Sequence, residues 1–446
     1  MLRGPMTDHA CAGLGFPNRN DPNIMPPSFY WPAFTLALAL TTHADDAATP
    51  ATSLFINRLI QEAITTHPSI EAAEARTQAA TSAIGAVRLW EDPQLGLGTL
   101  FASQINRQGN GDILAGIDQV LPRPKLYQAE KRRAIAEQQV QQAARRQTAN
   151  ELALSVAQSI LELALADEVV RLQTENVEWL QTIVKTAEER AKSPDATATE
   201  TLRLESELAV QTQTLAAAKR QRSQYATTLN LLLGRSVDHT WQPLSLPIKA
   251  QELSSAVALK VRLERNSPRL AALRHQAEGA QAAADSAREK RKPVFSAGVQ
   301  VYGYSQGNTH DMMTMLTLKM TLPWFNRSVY KADIARAESQ RNAAQSDLAA
   351  EQRLLYTQIT SMLTQAENNR RLADAYTSEV LPKSEKTVET LQNAWVSSKA
   401  TLLEVLEARR ALLQARQEQK RALAARNVAA QALAALTGSL GTPSAN

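Results

Sequence analysis

Leu322-Pro323-Trp324-Phe325-Asn326 opens the stretch that decides the fold, and Ser397-Ser398-Lys399-Ala400-Thr401-Leu402-Leu403-Glu404-Val405-Leu406-Glu407-Ala408 divides it. Between Trp324 and Thr437 the chain holds one proline, Pro382, and no glycine. A run so poor in breakers predicts long helices, with a bend or break at Pro382, which lacks the N–H that a helix interior needs. At about 1.5 Å per residue, Asn326 to Trp395 makes a rod of about 100 Å. Thr401 to Thr437 folds back along it as a second helix. No compact core requires a hairpin of that reach, so the hairpin spans something.

The composition agrees. Aromatic residues make up 5% of the 446 residues and glycines number 16, while Ala, Gln, Glu, Arg and Leu abound, as in long helices and coiled coils. Lys and Arg exceed Asp and Glu by 49 to 44. Bases interleaved with acids along helices describe solvated faces rather than a nucleic-acid surface. Cys11 is the one cysteine, which excludes an internal disulfide and a cysteine zinc cluster. Asp8-His9-Ala10 before it is no apolar lipidation signal.

Phe29 to Leu40 is an apolar run too short to cross a bilayer, followed by Thr42-His43-Ala44 as a small-residue cleavage site. Residues 1–44 therefore read as a secretory leader, with Met25 as a second candidate start.

Working back from the opening stretch, the same order occurs twice. Ser53 to Trp90 predicts a helix broken at His67-Pro68, with Leu59, Ala63, Ile70, Ala73 and Ala80 on one face. Residues 94–101 and 113–121 alternate with a period near two, as strands do, around a polar turn at 102–111. A helix from about Lys125 to Ala191 follows, with Leu163, Val170, Val177 and Val184 seven apart. After Ser193-Pro194-Asp195 a return helix runs from Ala198 to Leu233 and stops at Gly234. An irregular link, Arg235 to Gln251, closes the first half. Pro68 and Pro268, and Pro93 and Pro293, then share an offset of 200; Pro122 and Pro323 lie 201 apart, Gly234 and Gly438 204. Such agreement marks a duplication. The expected organisation is a leader (1–44), a first repeat (45–252), a second repeat (253–438) and a tail (439–446).

The second half carries its own strands. Phe295, Ala297, Val299 and Val301 alternate with polar or small residues, and Met312, Thr314, Leu316, Leu318, Met320 and Leu322 share one face. Four strands of this length match tilted membrane-spanning strands. An open sheet cannot stand in a bilayer with unpartnered edges, so the expectation is a barrel shared with copies of the chain, twelve strands for three copies. The alternative is a small soluble sheet packed on the helix ends.

The duplicated order over residues 53–438 resembles the TolC-like outer-membrane efflux proteins. The motifs that carry the likeness are Leu322-Pro323-Trp324-Phe325-Asn326-Arg327, Val380-Leu381-Pro382 and Leu403-Glu404-Val405-Leu406-Glu407-Ala408. The resemblance implies a mainly α fold with a small β part: long helical hairpins forming a trimeric α-barrel in the periplasm, with four strands per chain in a shared 12-stranded transmembrane β-barrel. It implies a homotrimer in outer-membrane lipid, docked on a periplasmic adaptor (membrane fusion) protein and an inner-membrane pump of the resistance-nodulation-division type. The Leu-Pro segments after strands two and four look closest to the heavy-metal branch.

Site residues come from the same resemblance. Family members narrow the periplasmic entrance with acidic rings one helical turn apart, which map onto Glu404 and Glu407. Six carboxylates gathered by threefold symmetry would repel one another, favour opening and attract cations; alternatively the pair only solvates its helix. The repeat offset carries them onto Glu200 and Arg203. A closed-state latch near the tip maps onto Glu200 and Trp395, but its basic position holds Ala400, with Lys399 adjacent. Ser193, Pro194 and Asp195, with Ser397, Ser398 and Lys399, form the adaptor-contacting tips, where the family usually has glycine.

Catalytic chemistry is not expected. The histidines are His9, His43, His67, His239, His275 and His310, and no two are spaced to share a metal. His310, Asp311, Met312, Met313 and Met315 suggest a soft-metal site only until the strand alternation splits them between faces. No phosphate loop, nucleophile elbow or pair of positioned catalytic carboxylates occurs, and no cofactor is expected. The function expected is a passive exit duct, conducting metal cations or small toxic compounds through an acidic mouth that opens like an iris. The other readings are a periplasmic adaptor, which would carry one hairpin within a β-rich domain, and a coiled-coil scaffold with no channel.

Overall fold

The computed structural model describes residues 48–100, 112–191, 198–247, 254–306 and 309–440. The chain divides into two units, Met1–Asp45 and Asp46–Asn446, and every described residue belongs to the second. The leader, the polar turn at 102–111, the first tip (Ser193, Pro194, Asp195) and residues 441–446 lie outside the described residues.

The first half runs β1 (Thr49–Pro50), α1 (Ser53–Thr66), α2 (Pro68–Gly85), β2 (Gln94–Leu100), β3 (Asp112–Val120), α3 (Pro124–Ala191), α4 (Ala198–Leu232) and β4 (Leu244–Ser245). The second runs α5 (Ala256–Asn266), α6 (Pro268–Lys290), β5 (Phe295–Gln306), β6 (Thr309–Met320), a 3-10 turn (Pro323–Asn326), α7 (Arg327–Ala375), a π turn (Tyr376–Val380), α8 (Leu381–Val396) and α9 (Leu402–Leu436).

The break at the start of each half has one cause. A proline disfavours helical geometry in the residue before it, and His67 and Ser267 are accordingly extended, with ψ of 128° and 118°. Each closes the helix behind it and caps the one ahead: His67 Nδ1 accepts from the Ser69 N–H at 3.2 Å, Ser267 Oγ from the Leu270 N–H at 3.5 Å. Proline then opens the new helix, where its missing N–H costs nothing. α2 stops at Gly85, short of the expected Trp90, so Leu89 and Trp90 stand exposed between helix and strand.

Pro382 does not break its helix, which continues through a π turn into α8. The Leu381 N–H reaches back five residues to the Tyr376 carbonyl, making a π turn directly before the proline. The wider turn relieves the collision between a proline ring and the carbonyl four residues back.

α3 packs on α1, α2, α4, α6 and α9, and α7 packs on α5, α6 and α9. Three cores result. The largest gathers Leu59, Ile60, Val156, Ile160, Leu163 and Leu229. A second, around Leu263, Leu270, Leu355 and Ile359, joins α5 and α6 to α7. The third sits at the tips, around Ile183, Leu204, Trp395 and Val405. Of the expected heptad seam, Leu163, Val177 and Val184 are buried, whereas Val170 is half-buried.

Part of the link expected to be irregular is a strand. β4 pairs in parallel with β1. It is pinned by Asp167, which is buried in α3, accepts from the Leu244 N–H at 2.9 Å and pairs with Arg222 at 2.5 Å. Beside it the Trp241 indole donates to Asn230 at 2.7 Å, and Arg235 of the same link grips Glu62 of α1 at 2.7 and 2.8 Å.

Candidate functional site

The four long strands form one antiparallel sheet in the order β2-β3-β5-β6. Register sorts its faces. Leu95 opposes Ile117, which opposes Val299, which opposes Leu316; Leu97 and Leu318 lie on the same side. Leu97 is 75% exposed, Leu316 81% and Leu318 74%. A contiguous apolar face of this kind marks an interaction surface. The other face carries Gln94, Asp118, Gln300, Thr317 and Lys319. There the Lys319 ammonium lies 2.8 Å from Asp118, and Gly298 leaves the space: a Cβ at that position would fall 2.1 Å from Asp118 Oδ1. β2 and β6 are paired on one side only, so each presents a free edge.

The methionines divide as the alternation requires. Met312 lies on the apolar face, and Met313 and Met315 oppose Tyr302 and Gln300 on the polar one. Among the described residues no cluster of His, Cys, Asp or Glu could hold a metal, and no helix is long and apolar enough to cross a membrane.

At the far end of the long helices, α8 closes with two reversed hydrogen bonds, Lys399 N–H to the Ala394 carbonyl at 2.7 Å and Ser398 N–H to Trp395 at 2.9 Å. This closure puts Ser398 at φ 59°, where glycine is preferred. α4 and α9 end the same way on Gly234 and Gly438, at φ 69° and 66°. Serine is tolerated here with help from Arg190, whose guanidinium donates to the Ser398 hydroxyl at 3.1 Å and to the Trp395 carbonyl at 2.8 Å. A cation at a helix C-terminus is favoured by the helix dipole.

α9 then starts with a reciprocal cap. Thr401 Oγ1 accepts from the Glu404 N–H at 3.3 Å, and the Glu404 carboxylate accepts from the Thr401 N–H at 2.7 Å. The Thr401 backbone N–H and hydroxyl hold the Glu404 carboxyl below its ordinary range. Glu404 and Glu407 are both exposed, one turn apart. Glu200 is half-buried near the start of α4, and Arg203 is exposed. Lys399 is exposed, whereas the Trp395 side chain is buried in the tip core of its own chain.

Two connections escape sequence reading. Arg190 joins the end of α3 to the end of α8, and the one signal for it is a base in the last turn of a long helix. Glu207 of α4 pairs with Arg410 of α9, and Arg410 and Gln211 together hold its carboxyl below the ordinary range. Higher on the same helices, Arg416 links Glu385 at 2.7 Å with Glu175 at 3.5 Å.

Each half of the chain thus gives two strands to one free-edged sheet with one oily face, and one long helical hairpin. A family model of outer membrane efflux proteins matches residues 59–235 and 259–439, one segment for each half. The chain belongs to the outer membrane efflux protein family. Among curated proteins none matches the sequence. Solved structures of family-like channels share the fold at low identity. CusC, studied for the conformational changes that accompany its folding and channel formation, is 18% identical with a TM-score of 0.74, over 92% of this chain and 98% of its own. The outer-membrane channel OprN is 15% identical with a TM-score of 0.74, over 87% and 91%. VceC of Vibrio cholerae is 17% identical with a TM-score of 0.71, over 87% and 96%. Membership sets this efflux protein in the outer membrane, with its helices on the periplasmic side.

Proposed function

We propose that three copies of this chain close into a passive exit duct. The free edges of β2 and β6 carry the reading, because backbone groups at an open edge cannot stand in lipid. Edge-to-edge closure of three four-stranded sheets gives a twelve-stranded barrel, with Leu97 and Leu318 toward lipid and Asp118 and Lys319 toward the lumen. The helical hairpins continue the duct through the periplasm. Their tips, Ser193, Pro194 and Asp195 with Ser397, Ser398 and Lys399, meet a periplasmic adaptor that joins the duct to a resistance-nodulation-division pump.

The mouth is ringed by Glu404 and Glu407, whose exposure suits a cation-attracting entrance that opens like an iris. Glu200, Arg203 and Lys399 supply polar contacts between neighbouring tips, and Trp395 contributes by packing inside its own. The cargo is metal cations or small toxic compounds, selected by the pump. Catalysis plays no part. An adaptor or a scaffold would have no use for an exposed apolar sheet.

The test is the mass and conductance of the protein extracted from outer membranes. A particle of three chains that conducts ions in planar bilayers supports the duct. A monomer without conductance overturns it.

A further inference from the structure

The positive charge of this chain is gathered at one level. Register puts all four helix-side strand ends together: Gln94 pairs with Asp118, Val120 with Ser296, and Phe295 with Met320. The segments that leave the sheet at that end are 86–93, 121–127, 288–294 and 321–331. They hold nine Lys and Arg against three Asp and Glu, a net of +6, where the whole chain carries +5. Everything else in the sequence is close to neutral.

Several of these cations are already spoken for. Arg88 pairs with Asp92, Lys292 with Glu289, Lys290 with Glu130, and Arg288 with Asp285 and Glu338. Arg123, Lys125, Arg291, Arg327 and Lys331 take no ion pair among the described residues, and all but half-buried Arg123 are exposed. Threaded between them are Trp90, Trp324 and Phe325, which are 54%, 55% and 79% exposed. Exposed Trp beside free Lys and Arg, at the rim of an apolar band, is the composition of a membrane interface: the rings sit at headgroup depth and the cations reach phosphate.

We infer that these four segments form a cationic collar that binds the headgroups of anionic phospholipid in the leaflet facing the helices. The inference rests on the sheet standing in the bilayer as proposed above. Charge complementarity selects the lipid. A zwitterionic headgroup offers no net attraction to five unneutralised cations, whereas an anionic one does, by about fivefold in association for each Lys or Arg held at the surface. Three copies around a barrel repeat the collar on every side, so the annulus of lipid is enriched rather than one molecule captured.

The experiment uses the full-length protein reconstituted in phosphatidylcholine bilayers containing spin-labelled phosphatidylglycerol or spin-labelled phosphatidylcholine. The motionally restricted fraction of each reports its association with the protein. The expected result is an association at least fivefold stronger for phosphatidylglycerol, falling toward parity in 1 M NaCl and in the variant K125Q/R291Q/R327Q/K331Q. Salt titration of the unaltered protein makes the result independent of how well that variant assembles. Equal restriction of the two lipids at low salt overturns the collar and leaves the duct standing. Failure to enter either bilayer overturns the membrane reading, and the collar with it.

Discussion

Arg190, in the last turn of α3, donates to the carbonyl oxygen of Trp395 at 2.8 Å and lies 4.7 Å over its ring. One side chain thus caps the end of α8, steadies Ser398 in its unfavourable conformation and covers the indole, tying the two hairpins of a chain to each other. R190A removes two charge-assisted hydrogen bonds and a cation–π contact, a loss of about 2 kcal/mol. The expected outcome is a lower thermal midpoint with a red-shifted tryptophan emission. R190K keeps the charge without the two-pronged contact and should fall between. Unchanged emission in R190A would detach Arg190 from the tip.

Glu404 serves its own helix before it serves a duct, and two substitutions separate the roles. E404Q preserves an acceptor for the Thr401 N–H and removes the charge; E404A removes both, at about 1 kcal/mol for a lost cap. If Glu404 and Glu407 ring the mouth, E404Q/E407Q weakens block by multivalent cations in planar bilayers with a small loss of thermal stability. E404A lowers stability further. Block that is indifferent to E404Q/E407Q would move the acidic ring elsewhere.

L97R and L318R each put a guanidinium on the oily face of the sheet. Lipid-facing arginine costs about 2–4 kcal/mol near mid-membrane and less toward the interface, so L97R should be the costlier of the two, Leu318 lying nearer the helix-side rim. Each variant should give less of the heat-modifiable assembled form on gels, while T317R, on the opposite face, should assemble better than either. Equal assembly of all three would mean that the faces are reversed or dry.

Acid should loosen the junction between α1 and the link before β4. Arg235 holds the Glu62 carboxyl below its ordinary range. A depressed folded pKa gives stability that is complete above the unfolded carboxylate pKa and is lost as pH falls through the folded one. For this partly exposed pair the loss is on the order of 1 kcal/mol. Thermal midpoints measured downward from pH 6 should therefore decline, and E62Q should flatten that part of the decline. An identical profile in E62Q would assign it to other carboxylates.

The large design was legible because it is written in spacing. Breakers recurring at one offset gave the duplication, and period-two runs gave both strand pairs and their faces, Leu97 with Ile117 and Leu316 with Leu318. What stayed hidden depends on pairing across distance. β1 and β4 are two residues each, too short to show a period, and they meet across most of the first half. Arg190 and Arg235 resemble any solvated arginine until the fold brings Trp395 and Glu62 to them. Pro382 was legible as a disturbance, but not as one a π turn absorbs.

That π turn has a mechanical corollary. One residue added to a turn advances every later side chain by about 100° around the axis. The rod from Arg327 to Val396 therefore has two indexings, one for the neighbours of α7 near the sheet and another for α9 beside the tip. Excising one residue between Tyr376 and Val380 would force a single phase on both, and the tip could then sit correctly only by unseating the shaft above it.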